Sequence, residues 1–127
     1  MDSQRMVMDF KYALQQMEGA LALPAVNDVI KAGCIQYFEF SFELAWKTVK
    51  HMAEDEGLTD CMSPKAALKT AFANGWIDDE EVWLEMLSSR NTMSHTYNAA
   101  DALRIYDRLR PYLEAMQKLA HVLSTRE

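Results

Sequence analysis

The chain has 127 residues, half of them apolar, with 13 Lys+Arg against 19 Asp+Glu, a net charge of −6 and a pI near 5.0. That length is expected to make one domain over residues 1–127 with a single core, and its acidic balance argues against a general nucleic-acid coat, which would carry a basic field. Cys34 and Cys61 suit neither a disulfide framework nor a zinc site, no apolar run reaches membrane length, and no signal-peptide order opens the chain, so a soluble cytoplasmic protein is expected.

Helical periodicity runs through the chain, and strand or hairpin signals are absent from the sequence. Val7, Phe10, Leu14, Met17 and Leu21 step by three and four, which predicts a first helix over about Ser3 to Leu21. A long second helix is expected from about Pro24 to Glu56, closed by Gly57. On its wheel Gln36, Glu39, Glu43, Lys47 and Lys50 share a sector narrower than about 90°. Cys34, Phe38, Phe42, Ala45, Trp46, Val49 and Met52 fill the other side. A helix this apolar belongs between neighbours or at a chain–chain interface, and Gly33 within it either permits a close helix approach or only lowers stability. Ser63 and Pro64 read as the cap and first residue of a short third helix ending before Gly75. Asp78 is the expected cap of a fourth, with Asp79, Glu80 and Glu81 at its positive end and Val82, Trp83, Met86 and Leu87 as its apolar face. A last helix should begin near Asn98 to Asp101 and follow Ala102, Ile105, Leu109, Leu113, Met116, Ala120 and Leu123. Pro111 interrupts that stripe, and its ring crowds the carbonyl of Asp107, so a kink or restart is expected there. The fold class that follows is all-α, a five-helix up-and-down bundle.

The segment from Arg90 to Tyr97 gathers a guanidinium, an imidazole and a phenol within eight residues. Arginine suits phosphate because its planar fork donates two parallel hydrogen bonds and keeps its charge. Histidine gains and loses a proton near neutral pH. Arg90 and His95 together suit metal-independent chemistry on a phosphodiester, so no cofactor is called for. Trp83, Leu87 and Arg90 share a helix stripe, which turns the guanidinium toward the core or a partner and demands a counter-charge. Glu39 or Glu43 is the expected source. His95 lies about 140° further round a continuous helix than Arg90. Either the helix ends between them or the site spans two chains, and the mediocre helix formers Asn91, Thr92, Ser94 and His95 favour a break. Gln36, Asn91 and Ser94 complete the supporting polar groups. His51 and His121 read as surface or cap residues without a role. Di-iron, His-Glu-x-x-His zinc, phosphate-loop and nucleophile-elbow patterns are absent from the sequence.

The Arg-x4-His-x-Tyr pattern at Arg90, His95 and Tyr97 resembles the signature of HEPN-type helical proteins, and more narrowly that of the nucleotidyltransferase substrate-binding proteins. The segment from Gln36 to Lys47, Ser63-Pro64, Ala71-Phe72 and Trp83 are similar to the same family, so the resemblance covers nearly the whole chain. It implies a homodimeric helical bundle partnered by a small nucleotidyltransferase encoded nearby. It carries two functional readings. In one, the protein is the ribonuclease toxin of a toxin–antitoxin pair: Arg90 stabilises the scissile phosphate of RNA, His95 is the general acid/base, and the partner silences the toxin by nucleotidylating Tyr97. In the other, the protein is a non-catalytic subunit that presents substrate to the transferase. For the first reading, a dimer groove lined by Arg90, Arg104 and Arg108 is the expected positive surface on this acidic chain.

Overall fold

The structure, a computed structural model, describes residues 2–58, 61–94 and 98–126. His95 and Tyr97, both singled out by the sequence, lie outside the described residues. Among those described there are helices and no strand: α1 (Asp2–Leu21), α2 (Asp28–Asp55), α3 (Pro64–Ala73), α4 (Glu80–Met93), α5 (Ala99–Tyr106) and α6 (Leu109–Thr125). The fold is all-α, with six helices where five were expected.

The extra helix comes from a clean break. α5 stops at Tyr106, and α6 restarts after Arg108. Pro111 then occupies the third position of α6. The missing N–H would have had no intrahelical partner there, and the carbonyl its ring would crowd, that of Asp107, lies outside the helix. The apolar stripe continues across the break, with Ile105, Leu109, Leu113, Met116, Ala120 and Leu123 all buried.

The other ends follow local capping chemistry, with two shifts from expectation. α2 begins later than Pro24 because Asn27 takes the cap: its backbone is extended and its side chain accepts from the Ile30 N–H at 3.0 Å. α4 is capped by Asp79, one residue after Asp78, through a 3.1 Å bond from the Val82 N–H. Ser63 caps α3 as expected, and Asn98 caps α5. Gly57 (φ 77°) and Gly75 (φ 75°) close α2 and α3 in the left-handed conformation that glycine adopts without strain. Behind them the Leu58 and Trp76 N–H groups return to Ala53 and Ala71 carbonyls, each at 2.8 Å.

α2 is the axis of the molecule and packs against every other helix. Its Phe38 ring lies 5.1 Å from Tyr112 on α6, and its Phe42 ring lies 6.3 Å from Trp83 on α4, measured between centroids. The α1 seam of Val7, Phe10, Leu14, Met17 and Leu21 is buried throughout. Gly33 is not a point of close approach: a Cβ there would meet nothing within 4 Å, so this glycine only lowers helix stability.

A polar network crosses the α4–α6 contact inside this apolar frame. The Tyr112 hydroxyl donates to Glu85 Oε2 at 2.7 Å and lies 2.9 Å from Ser89 Oγ, which is left as the donor of that second bond. Glu85 also takes a two-pronged hydrogen bond from Arg108 at 2.6 and 2.9 Å, which with the Tyr112 bond holds its carboxyl below the usual carboxylate range. Burial, reinforced by the neighbouring carboxylate, pushes the Tyr112 phenol up to about 12 from 10.0. A folded-state value above the unfolded one means that the contribution to stability is present below pH 10.0 and is lost as pH rises through about 12. Tyr112→Phe should cost about 1–2 kcal/mol near neutral pH. In urea unfolding followed from neutral to alkaline pH, the wild type should lose its advantage over Tyr112→Phe across that window; parallel profiles would show that the phenol does not carry it.

Candidate functional site at the end of α4

Arg90 sits in the last turn of α4, on the stripe that begins with buried Trp83 and passes through half-buried Leu87. The packing of that stripe turns the guanidinium toward α2. There one nitrogen meets Glu43 Oε2 at 2.8 Å, and another donates to Asn91 Oδ1 at 3.2 Å. The counter-charge is therefore Glu43. Its second oxygen accepts from the Trp46 indole N–H at 3.1 Å and lies 3.9 Å from Lys47. Trp46 thus uses its polar edge to orient the carboxylate. The Arg90 and Glu43 side chains remain 30% and 32% exposed, oriented but within reach of solvent.

Glu39 stands one turn before Glu43. Burial pushes its carboxyl above the usual range, Arg90 opposes that shift and Glu43 adds to it. One guanidinium therefore faces two carboxylates, of which Glu43 makes the ion pair.

α4 ends at Met93 with Ser94 as its C-cap, so the helix does stop between Arg90 and His95. The Ser94 hydroxyl donates to the Asn91 carbonyl at 2.9 Å, so Ser94 and Asn91 finish the helix end, with Asn91 also steadying Arg90. The chain is described again from Asn98. The motif positions His95 and Tyr97 fall in the connection between these two points.

Gln36 lies elsewhere on the same face of α2. Together with Glu39 it lines a cleft of about 440 Å³ between α2, the last turn of α4 and α5. Lys31 and Ile35 of α2, Met93 of α4 and Leu103 of α5 are among its other walls. The sequence pattern did not reveal this cleft. Its signal is the α2 stripe through Asp28, Lys31, Ile35, Gln36 and Glu39, which one short helix leaves partly uncovered.

The three arginines expected to line a dimer groove each have a carboxylate partner within the chain. Arg108 is bound by Glu85, and Arg104 lies 3.4 Å from Asp101. With Arg90 on Glu43, each of the three cations is already neutralised within the chain. Glu85 escaped the sequence reading because its partner is 23 residues away, beyond any helical spacing; the i,i+4 relation of Glu85 and Ser89 was the available hint.

Near the C-terminal end of α2, Ser3, His51 and Asp55 meet. The Ser3 hydroxyl donates to Asp55, and Ser3 Oγ lies 3.1 Å from His51 Nδ1. Asp55 also approaches that same nitrogen, at 3.9 Å. A nucleophilic triad needs serine and aspartate on opposite ring nitrogens, so this trio is a clamp between the start of α1 and the end of α2. Among the described residues no three His, Cys, Asp or Glu side chains gather as metal ligands, and no helix is long and apolar enough to cross a membrane.

The arrangement around Arg90 predicts non-additive stability. Glu43→Gln leaves Glu39 free to take over the guanidinium and should cost about 1 kcal/mol or less. Adding Glu39→Gln strands a half-buried charge, so the double variant should cost more than the sum of the singles by about 1 kcal/mol. Additivity within about 0.3 kcal/mol in urea titrations would rule out the shared clamp.

Residues 5–125 match the family described as "Nucleotidyltransferase substrate binding protein like". A curated relative from Haemophilus influenzae, named "Probable ribonuclease HepT", is 34% identical over 92 residues, which is 69% of this chain and 63% of that protein's length. A crystal structure of a protein from Thermus thermophilus shares the fold with a TM-score of 0.81 at 31% identity, over 90% of this chain and 98% of that one. With its motif arginine held at the end of α4 and the match running almost from end to end, the chain belongs to the nucleotidyltransferase substrate-binding protein-like family.

Proposed function

We propose that this protein is a HEPN-type, metal-independent endoribonuclease of the cytoplasm, built as one unit over residues 1–127. It works as a homodimer and is neutralised when a small nucleotidyltransferase encoded nearby modifies Tyr97. The observation that carries this reading is the state of Arg90. The guanidinium is anchored by Glu43 and Asn91 yet keeps about a third of its side-chain surface exposed, three residues before α4 ends at Met93 and five before His95 in the sequence. A guanidinium so oriented is ready to accept phosphate oxygens without first losing conformational freedom. In the reaction, His95 as general base takes the proton of the RNA 2′-OH. The 2′ oxygen attacks phosphorus, the bond to the 5′ oxygen breaks, that oxygen leaves with the proton His95 gives back as general acid, and a 2′,3′-cyclic phosphate remains. Arg90 stabilises the charge on the non-bridging oxygens. The name carried by the Haemophilus influenzae relative supports this direction. For the dimer, support comes from α2, where Phe40 remains 52% exposed on a helix already apolar over much of its circumference.

A second reading, a non-catalytic subunit that presents substrate to the nucleotidyltransferase, draws on a different observation. Arg90, Arg104 and Arg108 are each paired with a carboxylate, and the net charge is −6. Affinity for RNA rests heavily on cations free to neutralise phosphate.

Cleavage of RNA in EDTA separates the two. The purified protein should leave 2′,3′-cyclic phosphate ends, and His95→Ala and Arg90→Ala should each lose on the order of 10²–10⁴-fold in rate, while His51→Ala and His121→Ala keep it. Wild-type protein no faster than His95→Ala would leave the subunit reading. For the partner, co-expression with the adjacent nucleotidyltransferase followed by intact-mass measurement should give an adduct of one or more AMP units that vanishes in Tyr97→Phe. An unmodified mass, or an adduct that survives that substitution, removes the modification from the proposal.

A further inference from the structure

The cleft beside the Arg90–Glu43 pair has the make-up of a small-molecule site. Its volume of about 440 Å³ is in the range of ligand pockets, which are mostly apolar with a few converging polar groups. Ile35, Ala102, Leu103 and the pliable thioether of Met93 give it apolar walls. Its polar edge is Gln36 and Glu39, three residues apart on α2 and so on one side of that helix. Lys31 stands further along the same stripe, its ammonium 5.6 Å from the centre of the Tyr106 ring. Glu39 belongs to both places: it lines the cleft, and it is within electrostatic reach of Arg90. Arg90 does not itself line the cleft, and Glu39 stands between a flat group held there and the guanidinium that suits a phosphate.

A glutamine amide next to a carboxylate selects among flat groups. Glutamine pairs in two-pronged fashion with adenine, accepting from the 6-amino group and donating to N7. The second hydrogen of that amino group then points to the Watson–Crick side, where a carboxylate accepts it. Guanine carries an oxygen at position 6, so neither the glutamine oxygen nor the carboxylate finds a donor there. Uracil has no amino group, and cytosine lacks the N7 acceptor.

We propose that the cleft between α2 and α5 is an adenine pocket, with Gln36 on the N6/N7 edge and Glu39 on the other amino hydrogen, and with the nucleotide's phosphate directed to Arg90. This rests on reading the Arg90 region as a nucleotide-handling site. The adenine has two sources in that reading, a nucleotide of the RNA or the AMP transferred by the partner, and the recognition chemistry is the same for both.

The probe is adenosine 5′-monophosphate, titrated into the full chain carrying ¹³C-methyl labels and followed at Met93 and Ile35. AMP should shift both methyls and bind at least about tenfold more tightly than GMP, CMP or UMP, the discrimination expected of one two-pronged base contact. Gln36→Leu should bring AMP down to the level of the others. Unmoved methyls, or a response to AMP no stronger than to UMP, would overturn the pocket, whatever the outcome of the cleavage assay. AMP binding that depends on Gln36 would uphold it even if no RNA were cut. The source is then read separately. Adenines flanking the cut sites in wild type but not in Gln36→Leu assign the pocket to RNA. Cut sites without base preference, together with a lower AMP-adduct yield in Gln36→Leu on co-expression, assign it to the transferred nucleotide. An intact adduct yield with no base preference overturns the assignment of the pocket to either source.

Discussion

A guanidinium with only 30% of its side chain exposed favours a paired position, because leaving the charge uncompensated there costs stability. Glu43 provides that pairing for Arg90, and much follows from it. The pair agrees with the rotation that packing already gives α4, since Arg90 and Trp83 lie on one stripe and Trp83 is fixed against Phe42. It fixes which face of α2 turns to the end of α4. It also draws Glu39, one turn away, into the same field, where burial and Glu43 press its carboxyl toward the neutral form while Arg90 resists. Phosphate chemistry at this site has to compete with Glu43 for the same cation.

Much of the fold was legible because helix boundaries are written locally. Ser63-Pro64, Asn98, Gly57 and Gly75 each do one job that few other residues do as well. The misplacements came where two adjacent residues could do the same job. Asp78 and Asp79 are chemically identical caps, and only the backbone decides between them. Pro24 is a plausible helix opener until Asn27 offers a better one. The break before Pro111 was read as a kink or restart inside one helix, and the structure resolves it as a separate helix.

The site was legible to the extent that periodicity decides which way a side chain points. The wheel of α2 places Glu39 and Glu43 on one sector, and the stripe through Trp83 places Arg90 opposite a partner. Contacts between elements far apart in sequence were not legible. Nothing near Arg108 announces Glu85, and nothing near Gln36 announces a cavity. The cleft lies where the first half of the 8-residue α5 meets α2 and the end of α4. Nor did the sequence announce that Arg104 and Arg108 each meet a carboxylate along or across a helix, which lowers the field that a bound polyanion would feel.

The shortness of α5 also bears on motion. Among its residues only Ile105 is wholly buried, and the rest of its hold is the Asn98 cap, the partly buried Ala102 and Tyr106, and Lys31 over the Tyr106 ring. Helix segments secured by so few apolar contacts open in local steps well below the free energy of global unfolding, whereas α6, with seven buried side chains, stays with the core. Amide exchange across residues 99–106 is then governed by a subglobal opening. Such an opening would alter the space beneath Ala102 and Leu103 while the buried Phe38, Phe42, Trp83 and Tyr112 remain packed.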